Sequence, residues 1–262
     1  VEMFLERLPP VEVYNVDTPP RLWGTGEDDY QLVFAISDWH VGAHADLEKV
    51  AQRLVVAFDE ALAAMSCLPI DAEKMPITLL IGGDQLDSVF GNMHPQQQSH
   101  QWSHGANQVS SLVSQTCTLI HYLFDLTSHP INVWSVPGNH DRTASDRKGD
   151  PDRILHEIIA RWIASECKGM ANFHTPQRGH SILTGRLGHR TQLILYHGDT
   201  QPKDWRRTLL MHMDKSATHY LLVCGHRHTP EVRVLEDLNV MVYQIGSPKA
   251  GLDRYAPDVI GV

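Results

Sequence analysis

The sequence predicts an α/β protein whose functional site lies where its strands end. Short apolar runs, typical of strands buried on both faces, alternate with helical patterns in the first half of the chain. The second half has more strands and fewer helices. Five polar motifs each begin where an apolar run stops, and open α/β sheets bind their ligands at that edge.

The first half is predicted to alternate strands with amphipathic helices. Asp46 is an N-cap residue, and Leu47 and Val50 begin an apolar stripe with steps of three and four residues. Asp150 followed by Pro151 is a second helix-start signal. The predicted elements are a strand at 32–36, a helix at 46–65, a strand at 77–81, a helix at 106–127, a strand at 131–136 and a helix after 150–151.

The second half is predicted to be rich in strands, and the start of the chain stands apart. Residues 1–30 carry two Pro-Pro pairs and little periodicity, so we expect an extended leader with one edge strand at 11–13. Residues 31–262 are expected to form one domain, with a long polar loop at 88–105 near the site. The remaining predicted elements are strands at 181–184, 192–196, 220–224, 231–235 and 240–245, with a helix at 203–213.

Composition and charge exclude several classes of protein. Among the 262 residues the formal net charge is −9, which argues against binding along extended nucleic acid because that depends on Lys and Arg. The four cysteines lie at least 50 residues apart, so reduced thiols are expected rather than a disulfide framework. The sequence shows neither a membrane span nor a signal-peptide pattern, and a cytoplasmic protein without membrane contact is expected.

Five polar motifs supply carboxylate, carboxamide and imidazole groups, which are ligands of divalent metal ions. Each motif alone has an ordinary explanation as a turn or a helix cap. All five together at strand ends favour one shared metal site. The motifs are Asp38-Trp39-His40, Gly83-Asp84 with Asp87, Gly138-Asn139-His140-Asp141, His197-Gly198-Asp199 and Gly225-His226-Arg227-His228.

Spacing suggests how some of these side chains act. Asp38 and His40 are two residues apart, and strand alternation would place both on one side, within reach of one ion. His226 and His228 have the same spacing and either bind one ion each or share one. His140 is a candidate proton donor, because the ordinary pKa of histidine lies close to neutral pH.

The order of these motifs resembles the calcineurin-like metallophosphoesterase superfamily. Its pattern of D-x-H, G-D-x-x-D, G-N-H-[DE], a histidine after a strand and G-H-x-H is complete here and spans residues 38–228. The resemblance implies a four-layer α/β/β/α sandwich of two mixed sheets flanked by helices. It also implies a hydrolase that attacks a phosphate ester with water activated by two divalent ions. Manganese is the expected metal, with iron and zinc as alternatives.

The resemblance also implies a role for each site residue. His140 would lie near the leaving-group oxygen, and Asp87 would orient it. The two ions would share Asp84. The other expected metal ligands are Asp38, His40 and His228 for one ion, and Asn139, His197 and His226 for the second.

One position departs from the pattern of the protein phosphatases in this superfamily. They carry an arginine directly after the second Asp of G-D-x-x-D, where Ser88 stands here. Arg142 and Arg227 are therefore candidates for binding the substrate phosphate. The loop at 88–105 either roofs the site or is an ordinary polar loop.

The leading hypothesis is a dinuclear metal-dependent phosphodiesterase, similar to stand-alone bacterial or phage-type members of the superfamily. Its expected partner is a phosphodiester substrate such as a small diester, a nucleotide or a nucleic-acid end. The alternatives are a DNA nuclease of the double-strand-break-repair type, a phosphomonoesterase, and a non-catalytic scaffold of the same fold. The sequence leaves the oligomeric state open.

Overall fold

Ten strands and four helices occur in the described parts of the chain. A computed structural model describes residues 12–14, 31–42, 47–65, 76–87, 105–127, 129–141, 154–177, 180–199 and 205–248. The elements are β1 Glu12–Tyr14, β2 Leu32–Ile36, α1 Leu47–Met65, β3 Ile77–Ile81, α2 Ala106–Thr127, β4 Ile131–Ser135, α3 Ile154–Glu166, β5 Ala171–Pro176, β6 Ile182–Leu187, β7 Thr191–Tyr196, α4 Trp205–His212, β8 His219–Cys224, β9 Glu231–Leu235, a 3-10 turn Glu236–Leu238 and β10 Val240–Gln244.

The first sheet has the strand order β1-β5-β4-β3-β2, and all of its described pairs are parallel. Helices α1, α2 and α3 pack on one face of this sheet through a single apolar cluster. Strand β3 shows why the sequence has a continuous apolar run here. Leu79 and Ile81 face the helices, whereas Leu80 faces the opposite side and packs with Trp134 between the two sheets.

The second sheet has the order β6-β7-β8-β10-β9. Its central pairs β7–β8 and β8–β10 are parallel, and its outer pairs are antiparallel. Helix α4 covers its outer face, where Leu209 shares an apolar cluster with Ile194 and Leu222. Helices, first sheet, second sheet and α4 therefore form four layers, which confirms the predicted α/β/β/α fold class. Among the described strands only the second sheet is mixed, whereas both sheets were predicted to be.

The sequence prediction missed one strand and misplaced some ends. Strand β5 was not predicted, because it contains Asn172, His174 and Thr175 and has no apolar run. Strand β6 extends three residues beyond the predicted end at 184. The edge strand of the leader starts one residue later than predicted, and it pairs with β5. The rest of the 1–30 leader and the start signal at 150–151 lie outside the described residues.

The structure also bears on the cysteines and on the expected lack of a membrane span. Cys117, Cys167 and Cys224 are free thiols, as expected, and Cys67 lies outside the described residues. The Cys117 and Cys167 thiols are hydrogen-bonded to each other. Among the described helices, none has the length and apolar character that crossing a membrane requires.

His174 makes the stability of this fold depend on pH. It is buried on β5 beside Trp134, with 5.4 Å between ring centroids, and burial lowers its pKa from 6.5 to about 4. Below pH 6.5 the unfolded chain binds a proton at this residue before the folded protein does. Stability is therefore highest above that pH and falls on acidification. At pH 5 we expect this residue alone to cost about 2 kcal/mol.

Urea unfolding at pH 7.5 and pH 5 measures this effect. His174→Gln should lose less stability between the two pH values than the parent protein does. His121→Gln, a change at an exposed histidine on α2, is the matched control and should lose as much as the parent. An equal acid sensitivity in His174→Gln and the parent would contradict the prediction.

Candidate metal centre

Five loops meet at one edge of the two sheets. They follow β2, β3, β4, β7 and β8 at their carboxyl ends, which is where the motifs were predicted to lie. Backbone hydrogen bonds join these loops directly: Asp38 N–H donates to Gly83 C=O at 3.0 Å, and His40 N–H to Asp84 C=O at 3.0 Å. Gly225 N–H donates to the carbonyl of His197 at 3.1 Å. The motifs are therefore held together by main chain.

A first group of possible metal ligands consists of Asp38, His40 and His228. All three are buried. The Nε2 atoms of His40 and His228 lie 3.2 Å apart, and Asp38 Oδ1 lies 3.1 Å from His228 Nε2. Two imidazole nitrogens and one carboxylate oxygen thus converge on a small volume.

A second group consists of Asp84, His197 and His226. His197 Nε2 lies 3.1 Å from Asp84 Oδ2 and 3.2 Å from Asn139 Oδ1, so the carboxamide joins the group. The rings of His197 and His226 are 5.1 Å apart and nearly perpendicular. His226 is the exposed member of the group.

Asp84 lies between the two groups. Its Oδ2 atom is 3.1 Å from His197 Nε2 and 3.9 Å from His40 Nε2. Its Oδ1 atom accepts a hydrogen bond of 2.7 Å from the backbone N–H of His140. One side chain, 1% exposed, is therefore close to both sets of imidazoles.

Further contacts fix the orientation of the histidine rings. Asp87 Oδ1 lies 3.3 Å from Nδ1 of His40 and 3.5 Å from Nδ1 of His140. His197 Nδ1 lies 2.8 Å from the carbonyl of Gly82, a contact in which Nδ1 donates. With Nδ1 so engaged, Nε2 of His197 is left as the ligand atom that faces Asp84.

The backbone at this edge is strained. Asp38, His40, Asp84, His226 and His228 all have φ between 48° and 73°, in the left-handed region. Asn239 is the one other non-glycine residue with positive φ in the described part of the chain. Left-handed conformations of larger residues cost free energy and cluster at functional sites. Asp38 and His40 lie within reach of one ion, as expected. Strand alternation is not the cause, because both residues are left-handed rather than extended.

Charges in this buried edge shift several pKa values. Burial opposes protonation of His197, yet the carboxylate of Asp84 prevails and raises the pKa of His197 to about 10. Burial would raise the pKa of Asp84, but the neighbouring histidines, led by His197, hold it well below its usual range. Burial and the charge of Asp84 together raise the pKa of Asp141. Burial, in contrast, lowers the pKa of His226.

The donor atoms fit divalent metal ions. Within each group the imidazole nitrogens and carboxylate oxygens lie within 4.8 Å of one another. Neither group contains a thiolate, which suits borderline and hard cations. Asp38 Oδ1 is buried, and the nitrogen that faces it at 3.1 Å is His228 Nε2, a candidate ligand of the same group. A cation bound by both atoms would satisfy this buried carboxylate oxygen.

Comparison with known families decides the identity of the fold. The family profile for the calcineurin-like phosphoesterases matches residues 32–260, most of the chain. The chain belongs to this family. It is therefore placed among metal-dependent hydrolases of phosphate esters, and its two ligand groups are candidates for the metal centre.

Several solved structures are similar to this chain at low sequence identity. A protein of Streptococcus pneumoniae described as a predicted phosphoesterase has 14% identity and a TM-score of 0.34, over 83% of this chain and 72% of its own. Vacuolar Protein Sorting 29 of Cryptosporidium parvum has 16% identity and a TM-score of 0.42, over 88% and 82%. Vps29 of Entamoeba histolytica complexed with zinc has 14% identity and a TM-score of 0.36, over 83% of this chain and 74% of its own. No curated protein matches the sequence significantly.

The edge of the two sheets where the five loops meet brings together most of the predicted site residues. The seven expected ligands converge there, and His140 and Asp87 lie beside them. Of the two candidate arginines, Arg142 lies outside the described residues, as do residues 88–104 of the polar loop. Arg227 is exposed and interacts electrostatically with Tyr196, Cys224 and Glu231.

Sequence reasoning assigned no role to Asp141, which holds the phosphoesterase loops together. Its Oδ2 accepts the N–H of Gly138 at 2.7 Å, and its Oδ1 accepts those of Gln85 and Leu86 at 3.2 and 3.3 Å. The carboxylate thus ties the loop after β4 to the loop after β3. Its position next to His140 was the available signal, although spacing alone does not separate a ligand from a loop anchor.

Proposed function

We propose that this phosphoesterase is a dinuclear metal-dependent phosphodiesterase. The observation that supports this best is the position of Asp84, which is within 4 Å of imidazoles from both ligand groups. A single carboxylate shared by two groups is the arrangement expected of a pair of ions. When bound, two divalent cations polarise the phosphoryl oxygens and increase the acidity of water.

Seven side chains of the chain would act as ligands, divided between the two ions. Asp38, His40 and His228 would hold one ion, and Asn139, His197 and His226 the other, with Asp84 between them. Asn139 contributes a neutral oxygen, which limits the negative charge where an anionic substrate must approach. Nitrogen and oxygen ligands without thiolate suit manganese, with iron and zinc as alternatives.

His140 is the proposed proton donor to the leaving group. Its ring lies 4.6 Å from that of His40, at the border of the metal centre, and its side chain is 12% exposed. Asp87 Oδ1 lies 3.5 Å from its Nδ1. In the proposed reaction Asp87 would accept a hydrogen bond from this Nδ1, which would leave Nε2 to donate a proton to a departing oxygen.

A diester is proposed over a monoester on grounds of charge. A monoester carries a second negative charge at neutral pH and gains more from an added arginine. Ser88 occupies the position where related monoesterases carry that arginine. A small diester, a nucleotide or a nucleic-acid end remains the proposed substrate class.

A matrix of metals and substrates tests this function. The purified chain, freed of metal and reloaded with Mn²⁺, Fe²⁺ or Zn²⁺, would be assayed on bis(p-nitrophenyl) phosphate, p-nitrophenyl phosphate, cyclic nucleotides and DNA. We expect about two equivalents of bound metal and a higher kcat/KM on the diester. Preference for the monoester would overturn the diester proposal. Less than one equivalent of metal with no turnover would favour a scaffold.

Replacing His140 should separate metal binding from proton donation. We expect His140→Asn to keep its metal content and to retain activity within about tenfold on bis(p-nitrophenyl) phosphate, whose leaving group needs no proton. On a dinucleotide, whose alkoxide is a poor leaving group, kcat should fall by about 10²-fold or more. Both rates are measured with the same metal-loaded preparation.

His121→Asn, an exposed change on α2, is the control and should behave like the parent protein on both substrates. An equal loss on good and poor leaving groups would mean that His140 acts in some way other than proton donation. Full activity of His140→Asn on the dinucleotide would remove this residue from the mechanism.

A further inference from the structure

Strand β9 is the open edge of the second sheet, with β10 as its one neighbour among the described strands. On the other side of β10, Tyr220 N–H donates to Asn239 C=O, and Ile245 N–H donates to Cys224 C=O. These bonds show that the backbone N–H and C=O groups of the odd-numbered residues of β10 point toward β8. Its even-numbered residues therefore direct their backbone groups toward β9.

The register then fixes which backbone groups of β9 face outward. The even-numbered residues of β10 lie opposite Glu231, Arg233 and Leu235, so these three residues bond to β10. The N–H and C=O groups of Val232 and Val234 point in the opposite direction, away from the sheet. The edge thus presents two residues ready to pair with another strand.

The side chains along this edge form an apolar patch on one face. Val232 is 56% exposed and Val234 is 58% exposed, and Met241, directly opposite Val234 on β10, is 43% exposed. Tyr243, opposite Val232, packs on the apolar layer between the two sheets. The patch therefore continues the apolar layer beyond the part that the first sheet covers.

The other face of the same strand carries one charge of each sign. Arg233 Nε lies 2.6 Å from Glu231 Oε1, and their side chains are 51% and 41% exposed. If a second copy of β9 runs antiparallel with Val232 opposite its own counterpart, Glu231 of each copy lies opposite Arg233 of the other. The charged face is then complementary to itself. On the other face Val232 meets its own counterpart, and Val234 lies opposite Pro230 of the other copy.

We propose that β9 pairs antiparallel with β9 of a second copy of this chain, about a two-fold axis at Val232. Two five-stranded sheets would become one continuous ten-stranded sheet. Backbone pairing supplies the contact, while the two Glu231–Arg233 pairs select the register. Charged residues on an edge strand normally discourage pairing, but here their alternation permits one arrangement. The proposal is independent of the proposed enzymatic function.

Sedimentation equilibrium of the full chain over about 1–200 µM tests this pairing, since a single strand edge makes a small, weak interface. The expected mass rises with concentration from 29.5 kDa toward twice that value. Val232→Pro removes an N–H that β10 does not use, so the fold should survive, as checked by circular dichroism and thermal unfolding. The dimer should weaken at least about tenfold.

Charge exchange tests the register. Glu231→Arg and Arg233→Glu each place like charges opposite one another and should raise the dimer Kd at least about fivefold. The double variant Glu231→Arg/Arg233→Glu restores opposite charges and should recover the native Kd. Lys168→Glu, an exposed change of equal charge outside this sheet, should have no effect. A native chain that stays monomeric throughout, or a dimer that Val232→Pro leaves intact, would overturn the proposal.

Discussion

Asp84→Asn should abolish phosphate-ester hydrolysis and leave the protein unable to hold its expected metals. The change keeps the size of the side chain but removes the negative charge that lies 3.1 Å from His197 Nε2 and 3.9 Å from His40 Nε2. Both ligand groups lose the same carboxylate, so both should lose affinity. If the transition state loses several kcal/mol of stabilisation by the metal ions, kcat/KM falls by at least about 10³-fold.

The measurements are bound metal by elemental analysis after dialysis and kcat/KM on bis(p-nitrophenyl) phosphate. Asp125→Asn removes an exposed carboxylate from α2 and should match the parent protein in both. If Asp84→Asn keeps two equivalents of metal and turns over normally, the shared carboxylate has no role in the centre. Loss of activity with full metal content would place Asp84 in the reaction rather than in metal binding.

Part of this site was predictable because its physical causes are local. A strand buried on both faces must be apolar along its length, so β3 and β4 are visible in the sequence. A polar residue shortly after such a strand must lie near the sheet edge. The helix between β3 and β4 makes the two strands parallel, so their carboxyl ends share one edge. These facts place Asp84 and Asn139 in the same region of the molecule.

Other features depend on contacts that no local pattern encodes. Spacing left open whether His226 and His228 bind one ion each or share one. The structure places His228 with Asp38 and His226 with His197, in separate groups. Both histidines have a left-handed backbone, a conformation that sequence does not indicate for histidine. Strand β5 was missed for a related reason, since a polar strand forms only when its neighbours pair with it.

Close approach of the loops also explains why particular glycines are required. Gly83 has φ of +93°, and a Cβ atom there would lie 2.7 Å from His197 Nδ1 and 2.8 Å from the backbone nitrogen of Gly138. The loop after β3 thus passes within van der Waals distance of two other loops. A side chain at this point would separate the elements that carry the ligands, which ties the fold of the loops to the chemistry of the site.

Gly138→Ala should have the largest structural effect of any single methyl group added to the site. The new Cβ would lie 2.0 Å from Asp84 Oδ1 and 2.1 Å from the backbone nitrogen of Asp84. Backbone cannot move aside as a flexible side chain can, so the loop after β3 must shift and carry Asp84 with it. We expect a loss of about 1–3 kcal/mol in the free energy of unfolding of the metal-free protein. Metal affinity should fall by about 10²-fold.

Gly246→Ala is the matched control, because the three atoms nearest its Cβ would belong to the Pro230 ring, the first of them 3.1 Å away. It should lose less than about 1 kcal/mol and bind metal like the parent protein. Urea unfolding without metal and calorimetric titration with Mn²⁺ measure the two effects separately. If Gly138→Ala unfolds and binds metal as the parent does, the loops after β3 and β4 are not in close contact. The position of Asp84 between the two ligand groups would then lose its structural basis.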